Sequence, residues 1–179
     1  RSTLFPYTTL FRSHAHAHLG VVGFFVMLIV GVSYRLIPMF TLTEVQSKRR
    51  AALSILFLNI GLAGAVVTIL LRSPLRIAFA AIAVSGLVLF GWELHAMLRA
   101  RKRLVLDWGL KSFLVAAAML IPVCLLALVL SWPSLPMNQS FGMLENGYGF
   151  LGLFGVVAVA LFGIFHKILG FFVWLGVYS

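Results

Sequence analysis

At 179 residues, 62% hydrophobic and only 10% charged, with a mean hydropathy of +1.09, the chain has more apolar surface than a water-soluble domain of this size can bury. That leaves a polytopic membrane protein, with a backbone that is helical or a closed barrel. Barrel strands alternate apolar and polar residues; here the apolar runs are continuous and about 20 residues long, so the expectation is an all-α transmembrane bundle of about five helices. The net charge of +10 sits mostly between those runs, where orientation signals lie. No aromatic-basic surface or recognition motif accompanies it, so nucleic acid is not expected as a partner; the lipid bilayer is.

The first thirteen residues (RSTLFPYTTLFRS, 1–13) resemble translated sequencing-adapter sequence and read as a non-native leader, outside the fold argument. Residues 14–179 form the expected transmembrane domain, and both ends read as cut from a longer chain. The first expected helix covers about 16–40, with Tyr34 and Arg35 near its far end, where a long cation can snorkel, and Pro38 helping to end it. A polar loop closing on Lys48-Arg-Arg50 leads to a second helix, 51–71. Arg72, Ser73, Pro74 and Arg76 make a tight connection to a third, 77–98, which carries Glu93 and His95 in its last turns. A basic loop through Asp107 precedes the fourth, 113–132, inside which Cys124, the only cysteine, reads as a small buried hydrophobe. A cation-free loop, Pro133 to Asn146, precedes the fifth, 147–169, which Gly170 is placed to break.

Ten of the fourteen Lys and Arg residues fall on one side: after helix one, after helix three and at the end of helix five. That side is expected to be cytoplasmic, in a bacterial inner membrane. The start of helix one then lies on the periplasm-like face. Helix one also lies over helix five. Gly20 falls on Gly152, an offset of 132, and at the same offset Gly23 meets Gly155, Gly31 meets Gly163 and Arg35 meets Lys167. Three matched glycines and a matched cation without a gap indicate an internal repeat with a four-helix period. Small residues at these positions allow neighbouring helices to approach closely.

Three histidines, His14, His16 and His18, occupy alternate positions at the mouth of helix one. His14 and His18 are four apart and share a helix face, while His16 points roughly opposite. A histidine at that depth is costly unless something engages it. A zinc site needs a third ligand, and the nearest acids in sequence are far off, so a closed zinc site is not expected. A single inward histidine instead suits an axial haem ligand, with a partner ligand from another helix and with Gly20 and Gly23 leaving room beside it.

The run HAHLGVVGFFVMLIVGVSYRLIPMF (16–40), followed by YGFLGLFGVVAVALFGIFHKILGFFVW (148–174), resembles subunit I of the haem-copper (cytochrome c or quinol) oxidases, as a divergent member. That family has twelve helices in three four-helix arcs. Its second helix enters from the outer face with a haem-ligating histidine near its start, so the resemblance implies that the five helices are the second to the sixth. It carries haem b ligation onto His18 or His16. It also implies respiratory electron transfer, with other oxidase subunits and cytochrome c or quinol as partners. In true oxidases the sixth helix begins with a copper-binding histidine. Here the corresponding start is Asn146-Gly-Tyr-Gly-Phe150, where Tyr148 has the only metal-capable side chain, which argues against copper and oxygen reduction.

Glu93 and His95 are the candidates for the start of a proton path; the plainer reading is a snorkelling pair beside Arg99 and Arg101. Asn59 is expected to hydrogen-bond between helices. Trp92, Trp108 and Trp132 read as interfacial belt residues. Two other functions fit a repeat-built helical membrane protein: a transporter or channel, and a cofactor-free scaffold.

Overall fold

The computed structural model, which describes residues 5–103, 105–135 and 139–178, is all-helical among those residues, and five of its helices are long and apolar enough to cross a bilayer. Helix α1 runs without a break over 5–41: Phe5–His18, a π-helical stretch Leu19–Val26, then Met27–Thr41. Helices α2 (Lys48–Leu70), α3 (Arg76–Arg99) and α4 (Trp108–Leu130) follow. Helix α5 again has three parts: Gln139–Phe150, a π-helical stretch Leu151–Ala158, and Val159–Tyr178. The chain is a multi-pass membrane protein.

Several helix ends differ from expectation for local reasons. Helix α2 begins at Lys48 because the Ser47 side chain caps it, accepting from the Arg50 N–H at 3.3 Å. Helix α4 begins at Trp108, not near 113, because the Asp107 carboxylate accepts from the Leu110 N–H at 2.9 Å; an aspartate just before an apolar run is a readable N-cap signal. Helix α5 begins at Gln139, inside the expected loop. Gly142 and Glu145 fall in that loop, but Phe141, Glu145, Tyr148 and Gly152 recur at helical spacing and turn one face inward. Gly170 does not end it.

Pro38 does not end α1 either. The helix continues to Thr41 and stops at Leu42, whose backbone is left-handed at φ 53° and ψ 47°. The Pro38 carbonyl accepts from the Thr43 N–H at 3.1 Å, and the Thr41 carbonyl accepts from Lys102 and Arg103 N–H groups at 3.1 and 3.3 Å. The free carbonyls of the last turn thus find donors in the next residues and in the basic loop. Leucine in this conformation carries strain. Leu42→Gly is expected to raise stability in detergent by about 1 kcal/mol and Leu42→Val to lower it, measured by thermal unfolding; equal midpoints for both would remove the strain argument.

Each helix packs on its chain neighbours, and α5 returns beside α1, where the two π-helical stretches touch. Those stretches, Leu19–Val26 and Leu151–Ala158, stand at the offset of 132 that aligns Gly20 with Gly152, so the repeat is one of backbone form as well as of residues. The α2–α3 pair is held close by glycine: a Cβ on Gly61 would lie 2.5 Å from the Ala83 nitrogen, and one on Gly86 would lie 2.9 Å from the Ser54 oxygen. The core is formed by Val30 and Ile37 of α1, Leu58 of α2, Phe90 and Met97 of α3, Ala116 of α4, and Val156 and Ala160 of α5. Phe162 and Phe24, 74% and 60% exposed, face outward. In water such surface is a liability; in a bilayer it is the solvated face.

Candidate functional site

The site assembles at the end of the bundle where α1 begins and α5 enters. His14 and His18, one helical turn apart, are half-buried toward α5, while His16 is exposed. The α5 residues that meet them are Glu145 and Tyr148. Glu145 Oε1 lies 3.2 Å from His14 Nδ1. The Tyr148 ring stacks on the His18 ring, with centroids 5.9 Å apart and planes inclined by 28°. His18 Nδ1 is 2.8 Å from the His14 backbone oxygen, a contact that requires the proton on Nδ1 and leaves Nε2 as the ring's free lone pair.

The first π-helical stretch starts directly after His18 and the second directly after Phe150. A wide i→i+5 turn is rare and is found frequently at functional sites. Gly20 stands in open space: a Cβ there would meet nothing within 4 Å. Gly23 instead packs on Leu62, 2.9 Å from where its Cβ would be, and the open space at Gly20 lies on the exposed face of α1, roughly opposite His18.

Sequence reasoning missed Glu145. It lies in a stretch expected to be loop, and no acid near the histidines in sequence pointed to it. The repeat is the signal that could have found it, because it sets the start of α5 beside the start of α1. Among the described residues no group of three or more His, Cys, Asp or Glu side chains is placed to hold a metal ion. The cluster therefore offers one imidazole with a free nitrogen, beside a histidine–carboxylate pair.

At the opposite end the expected Glu93–His95 pair is not formed beside Arg99 and Arg101. Glu93 is fully buried, and its two carboxylate oxygens accept from the Ser47 N–H at 2.9 Å and from Arg50 Nε at 2.8 Å. His95, two residues on, is exposed. Burial explains the exchange of partner: Arg50 comes from the start of α2 and is itself packed on the Trp92 ring at 5.3 Å, whereas Arg99 lies exposed on the far turn. Tyr34 Oη and Ser54 Oγ, 2.7 Å apart, continue this polar cluster into α1. Asn59 is not an interhelical link; its side chain is exposed and donates to the Ile55 carbonyl of its own helix at 2.8 Å. Lys167, the repeat partner of Arg35, forms an ion pair with Asp107 and stands 4.6 Å from the Phe40 ring, joining α5 to α4 and α1.

No family model, curated protein or solved structure matches this chain.

Proposed function

We propose that the chain is a haem-binding membrane protein of respiratory electron transfer, built on the subunit-I plan of the haem-copper oxidases, with His18 as an axial ligand to a b-type haem. The observation that carries this reading is the state of His18. Its ring is held against Tyr148 and through Nδ1 by the His14 carbonyl, so Nε2 is oriented and unshared. Fixing one imidazole nitrogen to orient the other is how proteins prepare a histidine for a metal. Haem brings four nitrogens of its own, so it needs one or two protein ligands and no three-residue cluster. His14 is taken by Glu145, which makes it a supporting residue; His16, exposed on the far face, is the weaker alternative ligand.

When bound, the haem supplies one-electron chemistry; the chain's residues orient it and set its surroundings. Tyr148 closes one side of His18. The first part of α5, Gln139–Phe150, contains no histidine, so copper and oxygen reduction are not part of this proposal. By the distribution of cations, the cluster faces the periplasm of a bacterial inner membrane, within reach of cytochrome c or quinol as electron donor and of other oxidase subunits.

A reduced-minus-oxidised visible spectrum of the purified chain tests the reading. A b-type signal is expected in the wild type and in His16→Ala, weakened in His14→Ala, and more than tenfold lower in His18→Ala, beyond the lower end of the roughly 10–100-fold range for losing only supporting contacts. No haem signal from folded wild type would overturn the proposal and leave a repeat-built transporter or a cofactor-free scaffold as the readings to pursue.

A further inference from the structure

At the cation-rich end, between the last turns of α1 and the start of α2, an open groove of about 610 Å³ is lined by Tyr34, Arg35, Met39, Leu42, Glu44 and Lys48, among others. Its size lies in the roughly 300–1,000 Å³ range of small-ligand sites. Its walls differ in kind. Met39 and Leu42, 56% and 62% exposed, give an apolar flank at the edge of the bilayer. Arg35 and Lys48 give two cations, and among the described residues neither makes an ion pair. Glu44 is the acid on this lining; it is exposed and, among the described residues, makes no ion pair.

The two cations on the lining, Arg35 and Lys48, outnumber its one acid, Glu44. Helix α2 opens on Lys48-Arg49-Arg50 with no acid in its first turn, and cations at that end of a helix oppose the macrodipole. Glu93 takes Arg50 and leaves Lys48 facing the groove with Arg35. A phosphate placed between them would answer both cations at once. The apolar flank beside them is what an acyl chain requires and a soluble anion does not.

We propose that this groove binds the headgroup of an anionic glycerophospholipid, its phosphate held by Arg35 and Lys48 and the start of its acyl chains laid along Met39 and Leu42. Basic pockets beside transmembrane helices recognise anionic lipids by this combination of charge and depth. The site is independent of the histidine cluster, at the other end of the bundle.

Native mass spectrometry of the full chain, released from a bilayer of equal parts phosphatidylglycerol and phosphatidylcholine, tests it. The wild type is expected to retain phosphatidylglycerol in preference, and the double variant Arg35→Gln/Lys48→Gln to bind it roughly thirtyfold more weakly, at the usual contribution per surface cation. A matched loss of charge outside the groove, Arg99→Gln/Lys102→Gln, is expected to keep the preference. So is the charge-conserving pair Arg35→Lys/Lys48→Arg, which separates loss of binding from loss of folding. No preference in the wild type, equal loss in both glutamine variants, or displacement of the lipid by soluble glycerol phosphate would each overturn the proposal, the last by showing a soluble-anion site instead.

Discussion

Glu93→Ala is expected to destabilise the chain by about 3 kcal/mol, the lower end of the range for breaking a buried ion pair. The carboxylate is fully buried and serves two donors, the Ser47 N–H and Arg50 Nε. Removing it strands both, and the greater part of the cost is the half-buried Arg50 left unpaired. The lower end applies because the Arg50 side chain keeps 28% of its exposure and its contact with the Trp92 ring. Glu93→Gln retains an acceptor for Ser47 and is expected to cost about half as much. The apolar double variant Arg50→Leu/Glu93→Leu is expected to recover most of the loss, since an apolar pair of similar volume often replaces a buried ion pair, and to keep a cost of about 1 kcal/mol for the Ser47 N–H that it still strands. Unfolding by sodium dodecyl sulfate in mixed micelles, followed by circular dichroism, measures all three. A change within about 0.5 kcal/mol for Glu93→Ala, the range of ordinary surface substitutions, would show that Glu93 does not anchor α3 to the start of α2.

Gly163→Val is the second large effect, with an expected loss of about 3 kcal/mol from overpacking. Helices α4 and α5 meet backbone to backbone at this point. A Cβ on Gly163 would lie 2.6 Å from the Gly109 oxygen and 3.0 Å from the Phe113 nitrogen, and a Cβ on Gly109 would lie 2.6 Å from the Gly163 oxygen. Neither partner is the end of a flexible side chain, so relief requires the helices to part, and that would pull on the Asp107–Lys167 ion pair beside them. Gly31 is the control. It is the repeat equivalent of Gly163, yet a Cβ there meets nothing within 4 Å. Gly31→Ala is expected to be neutral or to stabilise by up to about 1 kcal/mol through helix propensity alone. Similar losses at both positions in the same unfolding assay would show that the crossing is looser than the backbone distances imply.

The 132-residue offset sets Gly31 over Gly163, and the matching π-helical stretches show that the offset reflects a shared backbone form. Yet only Gly163 is a close crossing, because α4 lies against it. A repeat in sequence reports equivalent helices; it does not report which neighbour each has.

For the candidate site, the histidine spacing was legible. Residues four apart on a helix share a face whatever surrounds it, and His14 and His18 do so while His16 turns outward. Their partners were not legible. Glu145 reaches His14 because α5 begins eight residues earlier than expected, and Tyr148, already inside the expected helix, reaches His18 because the two π-helical stretches come together. Glu93 is the converse case: its depth in α3 was readable, but Arg99 and Arg101, close in sequence, were the evident partners and Arg50 the actual one.

What the sequence determined by itself was the membrane class, the five spans, the side on which the cations collect and the helix face of each histidine. These follow from hydrophobic length and helical period, which are local quantities. The tertiary structure decided which glycines are crossings, which carboxylate meets which cation, and that His14 and His18 face Glu145 and Tyr148. Those depend on the register between helices distant in the chain, which is set by packing of side chains and backbone and leaves no periodic trace in either helix alone.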